Sequence, residues 1–293
     1  MMLIEQGIFQ GGTLFLAVVI LVAYSVYMIL TTGVETQEFV KTITEGPVVQ
    51  FVIYLTSAIM QLVAGVVIVV FAARNKDAVR NAPLEGGHLS FGLIMIGLFY
   101  ILAVNSVVTG YNCLWAFITD SVDYVNPLFA GSYKWPAFLL VSVFPAIVEE
   151  LLYRGILFRY LRQHGFMYAA VVTGFVFGLI HMNLQQFFFA GTMGFVLCYV
   201  YERSGHIWPC MLLHFTNNAL ATLLEMSDHK ADIALLLIWL GFNMFVSLIL
   251  LVIFDLRGRF RYDSRTVTKT LTATPMLILI IIGICLCLTN VFL

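Results

Sequence analysis

Long apolar runs separated by short polar connectors dominate this chain. A helix that crosses the hydrocarbon core of a bilayer needs about 20 predominantly apolar residues. Runs that reach or approach that length fall at residues 13–30, 48–73, 89–110, 135–163, 166–183, 187–201, 207–226, 231–254 and 274–293, with 187–201 the shortest. The pattern predicts an all-α fold: a polytopic transmembrane helix bundle of about eight to nine spanning helices. Connectors such as 74–88 and 257–269 are too short to fold alone, and there is no internal repeat or low-complexity tract. The first run has no Lys or Arg before it and no small-residue cleavage site after it, so it reads as a retained span and not as a signal peptide.

Composition agrees with the pattern. The 293 residues are 61% hydrophobic and only 11% charged, against about 25% charged in a soluble domain. Mean hydropathy is +0.97. A net charge of −1 offers no basic field for nucleic acid, which removes that class of partner. Cys113, Cys198, Cys210, Cys285 and Cys287 are odd in number and mostly lie within apolar runs, which suggests neither a disulfide framework nor a thiolate metal site.

Charge placement orients the bundle. With nine crossings and the N-terminus inside, the inner connectors hold Arg74, Lys76, Arg80, Arg159, Arg162, Arg203, Arg257, Arg259, Arg261, Arg265 and Lys269. The outer ones hold Lys41, Lys134 and Lys230, and Arg154 falls within a helix. That asymmetry obeys the positive-inside rule. It points to a multi-pass cell-membrane protein with a cytoplasmic N-terminus, and the compact nine-helix plan without a secretory signal gives the expectation of a prokaryotic plasma membrane.

One stretch breaks the apolar pattern where breaking it is costly. Residues 144–160, FPAIVEELLYRGILFRY, carry Glu149, Glu150 and Arg154 inside a span. A charge near the bilayer centre costs roughly 2.5–3.5 kcal/mol on insertion scales, so such residues need partners and a purpose. Glu150 and Arg154 are four apart, acid first, which puts them on one helix face in the favourable order. Glu149 is turned about 100° from Glu150 and is free to face a cavity as a general base. Pro145 lies four residues before Glu149, where its ring disturbs the preceding turn. His181, in FGLIH, and His214 with Asn218, in LLHFTNNAL, also lie in apolar runs. His214 and Asn218 share a face and can address a single oxygen, whereas Asn217 points elsewhere and reads as interhelical glue. Taken singly, the histidines and Asn218 are more often packing or hydrogen-bonding groups, and Glu150 with Arg154 a structural clamp between helices, whereas Glu149 reads as catalytic; together, on three helices, they suggest an intramembrane active site.

Glu-Glu-x-x-x-Arg at 149–154, Phe-x-x-x-His at 177–181 and His-x-x-x-Asn at 214–218, in that order, resemble the three motifs of the CAAX prenyl protease and bacteriocin-processing (CPBP, Abi) family of intramembrane glutamic proteases. The approach YERSGHIWPCMLLHFTNNALA resembles the same family, with His206 a local difference read as non-catalytic. The resemblance covers about residues 135–226. It implies a catalytic core there and nothing outside it; the accessory transmembrane helices at 1–134 and the C-terminal ones at 227–293 are read from their apolar runs. By that resemblance Glu149 and His181 activate the attacking water, His214 and Asn218 stabilise the oxyanion, and Glu150 and Arg154 support them. The implied substrate is a peptide, or a lipidated or hydrophobic protein, met in membrane lipid.

Glu149, His181 and His214 could also supply a zinc-like set. Against it stand the lack of a His-Glu-x-x-His helix and of an evident carboxylate partner for either histidine. The expectation is therefore a metal-independent endopeptidase without cofactors. Two other classes remain open: a non-catalytic membrane scaffold or immunity protein regulating a signalling partner, and a transporter relaying protons through Glu149. The paired broken helices typical of transporters are not evident.

Overall fold

The computed structural model describes residues 46–80, 91–119, 127–130, 132–181 and 184–226, with isolated positions elsewhere. The spans expected at 13–30, 231–254 and 274–293 lie outside the described residues, apart from such isolated positions. Among the described residues every regular element is helical. In order they are α1 (Pro47–Arg74), α2 (Lys76–Arg80), α3 (Phe91–Thr119), α4 (Pro127–Ala130), α5 (Lys134–Phe138), α6 (Phe144–Leu152), α7 (Arg159–Leu161), α8 (Phe166–Leu179), α9 (Leu184–Ser204) and α10 (Trp208–Glu225). Among the described residues two stretches, α1 and the continuous run Lys134–His164, are long and apolar enough to cross a membrane. The run expected to be shortest, 187–201, is part of the 21-residue helix α9. Its polar ends, Gln185 and Gln186 before and Glu202 and Arg203 after, hid its length from an apolar count.

Helix α1 leaves Leu55, Ile59, Leu62, Val63, Val66, Val69 and Val70 exposed. Water would penalise that face, and lipid would not. Thr56, Ala64, Gly65 and Ile68 are its buried side. The run Lys134–His164 is also two-faced: Ile147 and Leu151 are exposed, one turn apart, while Ala146, Glu150, Tyr153 and Arg154 are buried. The charges expected to need partners thus face protein, and the aliphatic side faces outward.

The chain divides into two compact units, each described separately. The first comprises Met1–Phe71, Asp123–Val148 and Asn218–Asp228. Its core is Leu128, Phe129 and Ala137, packed by Phe51, Tyr54, Tyr133, Val141 and Met226. Here the helix opens into a π-helical segment, Leu139–Val143, just ahead of Pro145. Proline has no N–H, so the α-helical bond to the Val141 carbonyl cannot form. The expected disturbance of the preceding turn is present. Ser142 and Thr222, both buried, are hydrogen-bonded through their hydroxyls at 3.1 Å, one helical turn from Asn218.

The second unit comprises Ala72–Val122, Glu149–Asn217 and His229–Leu293. A second π-helical segment, Tyr153–Phe158, carries Arg154. The turn into α8 uses Gly165 at φ 101°, a left-handed conformation that a side chain would resist. Asn217 accepts a 3.0 Å hydrogen bond from Asn105 of α3, the interhelical role its position suggested. At the end of α7, Arg162 grips Glu202 of α9, its Nε 2.9 Å from both carboxylate oxygens.

Small residues let α8 and α9 touch backbone to backbone. A Cβ placed on Gly174 would lie 2.6 Å from the Gly191 carbonyl oxygen, and one on Gly178 would lie 2.6 Å from that of Phe187. Backbone cannot step aside as a flexible side chain can. Gly174→Ala is therefore expected to cost about 1–3 kcal/mol, as overpacked cores do. Gly191→Ala, whose Cβ would sit at an ordinary 3.4 Å from the Gly174 oxygen, should cost far less. Thermal unfolding of the two variants in detergent checks the contrast, and equal melting points would contradict this packing.

Candidate active site

Glu149 and Glu150 sit near the end of α6, and Arg154 follows in the second π-helical segment. Glu150 and Arg154 pair as expected: Arg154 Nη1 donates to Glu150 Oε1 at 2.8 Å, with both side chains fully buried. Arg154 Nη2 reaches the Gly194 carbonyl on α9 at 3.2 Å. The close approach of α8 and α9 is thus connected to the arginine through a main-chain acceptor.

The same Glu150 oxygen also accepts from His214 Nδ1 at 2.8 Å. This corrects one sequence expectation. A carboxylate partner for a histidine does exist, and it is Glu150. A carboxylate only accepts, so the proton on that side belongs to Nδ1, and Nε2 is presented on the other side of the ring. There, Nε2 lies 3.9 Å from Glu149 Oε2. That is too long for a hydrogen bond, but both atoms can touch one water set to the side. The two acids divide as their rotation on the helix implied. Glu150 is sealed among protein groups, whereas the Glu149 side chain keeps 12% of its surface accessible.

His181 stands just past the end of α8. Its Nδ1 is 2.8 Å from the Phe177 carbonyl oxygen. A carbonyl too only accepts, so this nitrogen carries the proton and Nε2 is the basic one. Glu149, His214 and Arg154 all lie within electrostatic reach of this ring. Five of the six predicted site residues are therefore gathered in one unit, from three helices.

Residues 131–220 match the family model described as "Type II CAAX prenyl endopeptidase Rce1-like". All three motifs lie inside that segment, so the resemblance they carried is shown. A Bacillus subtilis (strain 168) protein named "Putative membrane peptidase YdiL" is 22% identical over 173 residues, covering 58% of this chain and 71% of its own length. No solved structure matches the chain.

Within the Rce1-like segment, Asn218 is the sixth predicted residue. Its Nδ2 donates to the Val141 carbonyl at 3.3 Å, the acceptor that Pro145 leaves without its helical donor. This contact was invisible in the sequence, where only the spacing from His214 suggested a role. A repair of the opened helix and an oxyanion contact predict different losses. Asn218→Ala costs about 1 kcal/mol of stability if the amide only satisfies Val141, and about 10²–10³ in rate if it also faces the oxyanion. Melting and cleavage rates on one preparation measure both, and the expected result is the larger loss in rate.

Elsewhere in the segment, Cys198 and Cys210 are buried free thiols, as their apolar settings suggested. His206 is exposed, and its N–H is bound by the Ser204 hydroxyl at 3.1 Å. Among the described residues, no three His, Cys, Asp or Glu side chains are arranged as a metal site.

Proposed function

We propose that this chain is an intramembrane endopeptidase that hydrolyses peptide bonds with water activated by Glu149 and His181, without a metal ion. The matches to the Rce1-like family and to a named membrane peptidase support a CAAX-type peptidase at family level. The observation that carries the finer reading is the dyad of His214 and Glu150 facing Glu149 at 3.9 Å.

In this reading a water lies against Glu149 and the bare Nε2 of His181. As its oxygen attacks the peptide carbonyl, Glu149 takes the proton. The tetrahedral oxyanion then needs donors where its charge develops. His214 can be one such donor only as an imidazolium, its Nδ1–H staying on Glu150 while Nε2 carries a second proton taken from solvent before the water attacks, and the Asn218 amide supplies the other donor. Collapse breaks the C–N bond, and Glu149 returns its proton to the leaving amine. No covalent enzyme intermediate forms.

The chain is a membrane protein. We assign it the multi-pass plan of eight to nine spans with the N-terminus in the cytoplasm, on the positive-inside charge bias. The substrate class is a peptide or membrane-associated protein with a hydrophobic or lipidated end. Comparing membrane and secreted peptides from cells carrying the wild-type chain with those carrying Glu149→Gln tests activity and identifies the substrate together. An uncleaved precursor should accumulate in the variant. Identical peptide profiles would favour a scaffold acting without catalysis.

A further inference from the structure

We infer that Phe177 is a positioning residue that orients both histidines and the supporting arginine of this site. The inference rests on the peptidase reading above and adds to it a group that touches no reacting atom.

Phe177 lies one helical turn before His181 and is fully buried. Its ring meets the His181 ring edge to face, at 5.2 Å and 74°, and the His214 ring at 5.9 Å and 89°. The Arg154 guanidinium carbon sits 4.6 Å from the ring centroid. The Phe177 backbone carbonyl holds His181 Nδ1, as described above. One residue thus contacts three groups of the site through its side chain and fixes a proton position through its main chain.

The chemistry favours a positioning role over simple filling. A histidine's second side-chain torsion has broad minima, so an imidazole needs outside contacts to hold its plane. An aromatic ring supplies directional ones, with a negative face and a positive edge. The guanidinium lies over that face, and a desolvated cation there is strongly held. Arg154 in turn binds the oxygen that binds His214 Nδ1. Tilting the arginine therefore tilts the imidazole. A leucine at 177 fills part of the volume but has neither face nor edge.

The test replaces Phe177 with phenylalanines carrying one, two and three ring fluorines. These nearly keep its shape while draining charge from the ring face. The readout is cleavage of a quenched fluorogenic peptide with a hydrophobic C-terminal tail by the full chain in lipid nanodiscs. The expected result is a stepwise fall in kcat, about tenfold or more across the series, with KM within about twofold. Melting should stay close to that of the wild type, which a Phe177→Leu variant need not. A flat kcat across the series, with cleavage still dependent on Glu149, would overturn the positioning role and leave the peptidase reading standing. Cleavage that survives Glu149→Gln, or a wild-type chain that cleaves nothing, would overturn both.

Discussion

Glu149→Gln is expected to lower kcat for peptide cleavage by about 10²–10⁴ while leaving KM within about twofold. The substitution keeps the shape and length of the side chain and removes only its ability to take a proton. Glu149 is the acid that the helix does not consume in its internal ion pair, and it alone of the two retains access to the site. Melting should be nearly unchanged, because Glu150 and not Glu149 holds the buried pair. Glu149→Asp keeps the acid but draws it back by one methylene from His214 Nε2, so it should retain a fraction of the activity. Purified protein in nanodiscs gives both constants. A Gln variant as fast as the wild type would show that another group activates the water.

The second large effect concerns the pair beneath the site. Glu150→Ala or Arg154→Ala removes one half of a fully buried ion pair, and breaking such a pair costs about 3–5 kcal/mol. Either variant should melt far below the wild type or fail to accumulate. Replacing both, as Glu150→Leu with Arg154→Met, removes both charges at once, and such exchanges are often neutral or stabilising. Folding should then return without activity, since His214 Nδ1 has lost the acceptor that sets its tautomer. Separate recovery of the melting point and of the cleavage rate measures this. A double variant that cleaves at the wild-type rate would reduce the pair to a structural clamp.

Much of this site was legible in the sequence because local geometry fixes it. Glu150 and Arg154 pair because four residues make one helical turn, and the two acids face differently because adjacent residues must. Pro145 announced an opened turn for the same kind of reason. What the sequence hid depends on tertiary approach. The Glu150–His214 contact joins residues 64 apart, and no spacing rule reaches that far. Asn218 on Val141 needs both the opened helix and a neighbouring one at the right height. Phe177 appeared as an apolar motif position, and an apolar residue in a membrane helix gives no sign of what its ring will touch. Helix α9 is longer than its apolar count because its ends are polar, and the close approach of its Gly191 and Gly194 to α8 is a tertiary fact that no apolar count registers.

The central claim is that a carboxylate and two imidazoles hydrolyse a peptide without a metal. Its most direct test is cleavage by wild-type protein that has been stripped with a strong chelator, has a measured metal content well below one ion per chain, and is reconstituted in lipid. The expected result is an undiminished rate that vanishes on Glu149→Gln. Activity that disappears on stripping and returns with added zinc would contradict it.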